Sequence, residues 1–169
     1  MNIQLIENLH TELKNAVSSH YKELLSRCGD ETIYGYSLFT DDCVTSMGPV
    51  ANKERSIKVN KSDPLYNYYR YGAVEWDEWD DFGLFDEVNN MIKKYHETVK
   101  DSFDNRVNTL LKESLNVLME LEAEGLFGNK NDNRFIVICV SDSSNEIMTE
   151  SARKLNTLKV YEQYASEFA

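Results

Sequence analysis

The sequence predicts an α+β fold, a small mixed or antiparallel sheet packed with several helices, in one domain spanning residues 1–169. Three observations carry that prediction. Long stretches repeat apolar residues at helical spacing. One β-branched and aromatic stretch is followed by a turn and a candidate return strand. A short, wholly apolar run stands alone near the carboxyl end. An early hairpin and a late buried strand, separated by helices, give a sheet that helices cover on one or both faces.

The elements follow in order. Leu5, Leu9, Leu13, Ala16, Val17, Leu24 and Cys28 share one side of a 3.6-residue repeat, and Gly29 stops it, predicting a helix over 3–28. Residues 32–40, TIYGYSLFT, read as a strand; Asp41-Asp42 turns the chain, and Cys43–Met47 is the expected return before Gly48-Pro49. Asn52 is the expected cap of a short helix bearing Lys53, Arg55, Lys58 and Lys61, the main basic cluster. Tyr71–Trp76 is the expected short strand or sheet edge.

Helical spacing returns with Leu84, Val88, Met91, Ile92, Tyr95 and Val99, then with Phe103, Val107, Leu110, Leu111, Leu118 and Leu121. Asp101-Ser102 can cap the second stripe, although the i+4 join of Val99 to Phe103 leaves one long bent helix open. Gly125 and Gly128 end this run. Phe135–Val140 reads as a central strand covered on both faces. Ser143 with Glu146 matches a capping box for a final helix packed through Ile147, Ala152, Leu155, Leu158 and Tyr161.

Composition bounds the function. A chain of 169 residues buries roughly 70% of its unfolded surface, enough for a core without staples. Cys28, Cys43 and Cys139 are odd in number and widely spaced, so buried thiols in a reducing compartment are expected rather than disulfides. The amino terminus shows no secretory pattern and no apolar stretch reaches the ~20 residues of a bilayer span, so the expected location is cytoplasmic, with no membrane association. The net charge of −11 repels nucleic acid and favours a basic protein partner.

Phosphate loops, dinucleotide fingerprints, nucleophile elbows and His-Glu-x-x-His are absent, so no catalytic residue, cofactor or metal is expected. His10, His20 and His96 read as surface or boundary residues of helices, with phases that share no metal. One stretch invites a functional reading: Glu75-Trp76-Asp77-Glu78-Trp79-Asp80-Asp81, beside the tyrosines of 66–71. Glu75, Trp76, Asp77, Glu78, Trp79, Asp81, Tyr69 and Tyr71 are the residues expected to meet a basic partner, through ion pairs and cation–π contacts. A sugar hydrolase using Glu75 and Glu78 is an alternative, as is a hard-cation site, although no calcium-loop order is present. A structural or oligomer-forming module is the third class. The plainest reading buries Trp76 or Trp79 under a solvated acidic turn, with Asp80 or Asp81 capping the next helix. At 141–145, capping by Ser143 is preferred over an anion site.

Ile33-Tyr-Gly-Tyr-Ser-Leu-Phe-Thr-Asp-Asp42, the Glu75-Trp76 pair, and Leu121-Glu-Ala-Glu-Gly-Leu-Phe-Gly128 followed by Arg134 resemble the bacterial domain-of-unknown-function 4303 family. The resemblance spans most of the chain and implies one α+β domain. It carries over no catalytic residue. By analogy with other small acidic bacterial domains, it implies an immunity-like role in neutralising a toxin. The Leu121–Gly128 motif itself reads as structure, a helix end closed by a left-handed glycine.

Overall fold

The computed structural model describes residues 2–168. The elements are α1 (Asn2–Cys28), β1 (Ile33–Thr40), β2 (Met47–Lys53), α2 (Tyr66–Tyr71), α3 (Asp86–Thr98), α4 (Phe103–Ala123), β3 (Phe135–Val140), α5 (Glu146–Leu155) and α6 (Leu158–Phe168), with single 3-10 turns at Glu54–Ser56 and Ala73–Glu75. The sheet order is β2-β1-β3; β1 runs antiparallel to β2 and parallel to β3. This is the mixed α+β architecture the sequence implied. The parallel pairing requires a long crossover, which α2 to α4 provide.

Alternation along β3 builds the two faces. Ile136, Ile138 and Val140 join a core with α1, α3 and α4, while Phe135, Val137 and Cys139 join a second core with α5 and α6. In β1 the alternation slips once. A bulge between Ile33 and Gly35 turns Tyr34 and Gly35 towards the same, second core, and Tyr36 returns to the first.

Neither edge of the sheet is open. On β3, Ile136 N donates to Asn156 Oδ1 (2.8 Å), Asn156 Nδ2 donates to Ile136 O (2.7 Å), and Ile138 N donates to Ser151 Oγ (3.0 Å). On β2, Met47 N donates to Asn89 Oδ1 (2.7 Å), Pro49 has no N–H, and Ala51 exchanges two bonds with Glu78 (2.9 and 3.1 Å). Side chains and one bridge thus occupy several of the groups that an incoming strand would need.

Several boundaries differ from the sequence reading. The return strand starts at Met47, not Cys43, because Asp41 captures Cys43 N (2.8 Å) and Thr45 N (3.2 Å) in a turn with Val44 at φ 50°. Pro49 then fits, since an outer edge asks no donor of it. Asn52 lies inside β2 and caps nothing. Residues 71–76 form the end of α2 and a 3-10 turn rather than a strand. Val99 to Ser102 separates α3 from α4, and Ser102 caps α4 by accepting from Asn105 N (3.2 Å). The final helix is two, because Asn156 leaves the helix to bind β3, and Thr157 Oγ1 accepts from Val160 N (3.3 Å) to start α6. Asn145, not Ser143, caps α5. The end of α4 is a Schellman closure: Leu126 N donates to Leu121 O and Gly125 N to Glu122 O, both 3.0 Å, with Gly125 at φ 80°.

Candidate functional site

The segment 75–81 crosses the end of the second core, and its two indoles meet different fates. Trp76 is 2% exposed. Its ring packs against Gly35, where an added Cβ would stand 2.8 Å from two ring carbons. Its N–H donates to Arg70 O (3.2 Å), and its edges meet Tyr34 and Phe135 at centroid distances of 6.0 and 6.2 Å. Trp76 is therefore a core residue, and it offers no face to a partner. Tyr71 is in the same position: buried, its ring against Phe135 (4.9 Å) and its hydroxyl on Gln163 Oε1 (2.7 Å).

The chain's own basic cluster occupies two of the acids. Glu78 pairs with Lys53, and its carboxylate holds the Lys53 ammonium above its ordinary value. Glu75 accepts from Tyr68 Oη (3.1 Å) and lies 3.5 Å from Lys58 Nζ; that carboxylate raises the Tyr68 phenol. Tyr69 sits half-buried on α2, its ring edge on Tyr68 and Lys58 5.7 Å above it. Asp80 pairs with Arg27 (3.3 Å). It caps no helix; its Oδ1 accepts from Phe82 N, and Asp81 Oδ1 from Gly83 N, both 2.9 Å, inside a tight turn.

That turn is anchored from below by a residue that the sequence placed at the surface or at the core boundary. His20 is 1% exposed, and its Nε2–H donates to Asp80 O (2.9 Å). A carbonyl only accepts, so Nδ1 carries no proton in the neutral ring and accepts from Tyr36 Oη (3.0 Å). Burial lowers the His20 pKa, opposed by the Asp80 carbonyl and the charges of Asp81 and Asp80. Phe82, at φ 54°, stacks between this ring (5.2 Å) and Arg27 (4.1 Å).

What remains outward is a smaller acidic-aromatic face. Trp79 is 43% exposed, stands edge-on over Phe39 (5.0 Å), and its N–H is held by Trp76 O. With Asp81, Asp41, Asn89 and Ser141 it walls a cleft of about 370 Å³ at the carboxyl ends of β1 and β3. Asp77, two residues before Trp79 in the chain, is exposed. Among the described residues no Lys or Arg pairs with Asp77 or Asp81, in contrast to Glu75, Glu78 and Asp80. Of the eight residues expected to meet a partner, then, the cleft collects Trp79 and Asp81, and Asp77 is exposed outside its lining. Sequence reasoning missed Phe39, Asp41 and Asn89. Phe39 was detectable, because it alternates with the buried Leu38 along a predicted strand.

Asp41, Asp42 and Cys43 are close enough to share a cation. Burial alone would raise the Asp41 carboxyl, but hydrogen bonds from Thr45 and Cys43 hold it below its ordinary value. Its oxygens are thereby committed to the turn.

A family model described as Domain of unknown function (DUF4303) matches residues 13–157. The chain belongs to that family. No curated protein and no solved structure matches it. The family's match covers the cleft and most of both cores, leaving out Leu9 and the α6 residues Val160 and Tyr164, and the buried Trp76, the Gly35 backing and the Schellman end all fall inside it. Among the described residues of this family member, no helix is long and apolar enough to cross a membrane.

Proposed function

We propose that this domain is a non-enzymatic binding module that seats a basic protein partner in the cleft of Trp79 and Asp81, with the exposed Asp77 two residues before that indole. One observation carries the reading: an indole held by Phe39 and by the Trp76 carbonyl yet exposed, sharing its cleft with Asp81, a carboxylate in none of the ion pairs among the described residues. A pre-fixed aromatic ring loses little rotamer freedom on binding, and Arg or Lys is attracted to its face. The net charge of −11 steers a basic partner towards it. Since bonds from Asn89, Ser151 and Asn156 occupy groups on both sheet edges, recognition runs through side chains and not through an added strand. An immunity-like role is one form of this function, the partner then being a basic toxin. Three free cysteines suit the cytoplasm as its place of action.

The hydrolase reading gains no support from this arrangement. Glu75 and Glu78 are each engaged by a different lysine, and neither lines the cleft.

The test is the affinity for nona-arginine, a surrogate for a basic partner, with two charge swaps of equal size. Asp81→Lys lies in the cleft, and Glu162→Lys lies exposed on α6. The first is expected to weaken binding about ten-fold and the second less than about two-fold. Equal weakening by both would mean that net charge alone attracts the peptide, and would end the proposal.

A further inference from the structure

A second cleft lies on the other side of the loop that follows β3: Ser141 lines the Trp79 cleft, whereas Ser143 lines this one. Its inner part is a slot of about 190 Å³ walled by Val74, Cys139, Met148, Tyr164 and Phe168. Beside it, sharing Ser143, Met148, Tyr164 and Phe168, lies a wider space of about 650 Å³, walled by Arg153 together with Glu146 and Glu150. An apolar interior with a few polar groups at the mouth is the usual form of a small-molecule site.

Tyr164 lines both parts and is 2% exposed. Its ring is fixed between Phe135 (5.3 Å) and a stacked Phe168 (5.2 Å, 25°). Its hydroxyl has no hydrogen-bond partner among the described residues. Tyr34 and Tyr71, buried in the same core, both donate: Tyr34 to Arg70 O (2.8 Å) and Tyr71 to Gln163 Oε1 (2.7 Å). The Tyr164 oxygen is not among the sealed polar atoms that lack a partner, so this hydroxyl meets the solvent of the cleft, where a ligand oxygen can replace water as its acceptor. Burial pushes the Tyr164 phenol up to about 12, so it stays a donor through neutral pH. Burial likewise pushes the Cys139 thiol up to about 11, so it is a protonated, apolar wall and not a nucleophile. Arg153, exposed at the mouth, belongs to none of the ion pairs among the described residues, while the neighbouring Glu150 is taken by Lys154 (2.6 Å).

We infer that this cleft binds a small, planar aromatic acid, with its ring in the slot between Cys139 and Phe168. A ring oxygen accepts from Tyr164, and the carboxylate faces Arg153. The site is independent of the Trp79 cleft and takes a ligand of opposite charge to that cleft's partner.

The probes are 6-hydroxy-2-naphthoate, which carries both oxygen functions, and 2-naphthoate, which lacks the ring oxygen. Calorimetric titration of the full chain is expected to show one saturable site for the first. Tyr164→Phe removes only the hydroxyl and is expected to leave the melting temperature unchanged, weakening 6-hydroxy-2-naphthoate at least about five-fold and 2-naphthoate less than about two-fold. Arg153→Glu is expected to weaken both. Absence of saturable binding by 6-hydroxy-2-naphthoate overturns the inference, as does an equal response of the two probes to Tyr164→Phe, or indifference of both to Arg153→Glu.

Discussion

Two tryptophans three residues apart, in the same acidic run, play opposite parts. Trp76 fills the second core because Gly35, some forty positions earlier, leaves it room. Trp76→Ala is expected to cost ~3–5 kcal/mol in chemical denaturation, and Trp79→Ala about 1 kcal/mol or less. Gly35→Ala, which drives a methyl into the ring, is expected to cost ~1–3 kcal/mol in the same assay. The alternation of acids and aromatics in residues 75–81 was plain in the sequence, but it could not say which indole goes in. A 3-10 turn ending at Glu75 resets the alternation, and a glycine in another element selects the ring. His20 escaped for a related reason: helical phase put it beside the core, and only the Asp80 carbonyl and the Tyr36 phenol explain its burial. Its pKa is lowered, so below the ordinary value of 6.5 the unfolded chain binds the proton that the folded one refuses. Stability is therefore lost as pH falls from 6.5 towards the folded value. His10 acts in the opposite sense. Burial there lowers the pKa, but the hydrogen bonds of Glu113 and Glu120 outweigh it, and the stabilisation fades as pH climbs through the raised value. Melting temperatures between pH 5 and about 7 test this: the acid-side loss is expected to shrink in His20→Gln.

At the scale of elements, the sequence was most legible where one element decides its own fate. The stripes of α1, α3 and α4, the apolar run of β3 and the glycine end of α4 each follow from local pattern, and each is present. It was least legible where a side chain from one element completes another. Asn156 reads as an ordinary helix residue, yet it ends α5 and serves both backbone groups of Ile136. Asn156→Ala is expected to leave two buried backbone groups unmet, at ~1–3 kcal/mol each, and to speed amide exchange in β3 more than in β2. Gly125→Ala, at φ 80°, is expected to cost about 1 kcal/mol and to fray only the end of α4. The displaced start of β2 belongs here too, since Asp41 reaches across its own turn and takes the donors that an earlier strand would have used.

Over the whole molecule, the basic cluster and the acidic run, separate features of the sequence, lie against one another: Lys53 on Glu78 and Lys58 on Glu75. That contact divides the run into acids spent on the fold and acids left to solvent, and it moves the candidate face from Trp76 and Glu78 to Trp79 and Asp81. Binding there is expected to weaken several-fold as ionic strength rises from about 0.05 to about 0.5 M, because the screening length shortens. The most direct test is an amide and indole NMR spectrum recorded while nona-arginine is added. The account predicts shifts at the Trp79 indole N–H and at the amides of 39–41 and 77–81, with the Trp76 indole N–H and α6 unmoved. Shifts spread along α6, or an unmoved Trp79 with the peptide bound, would contradict it.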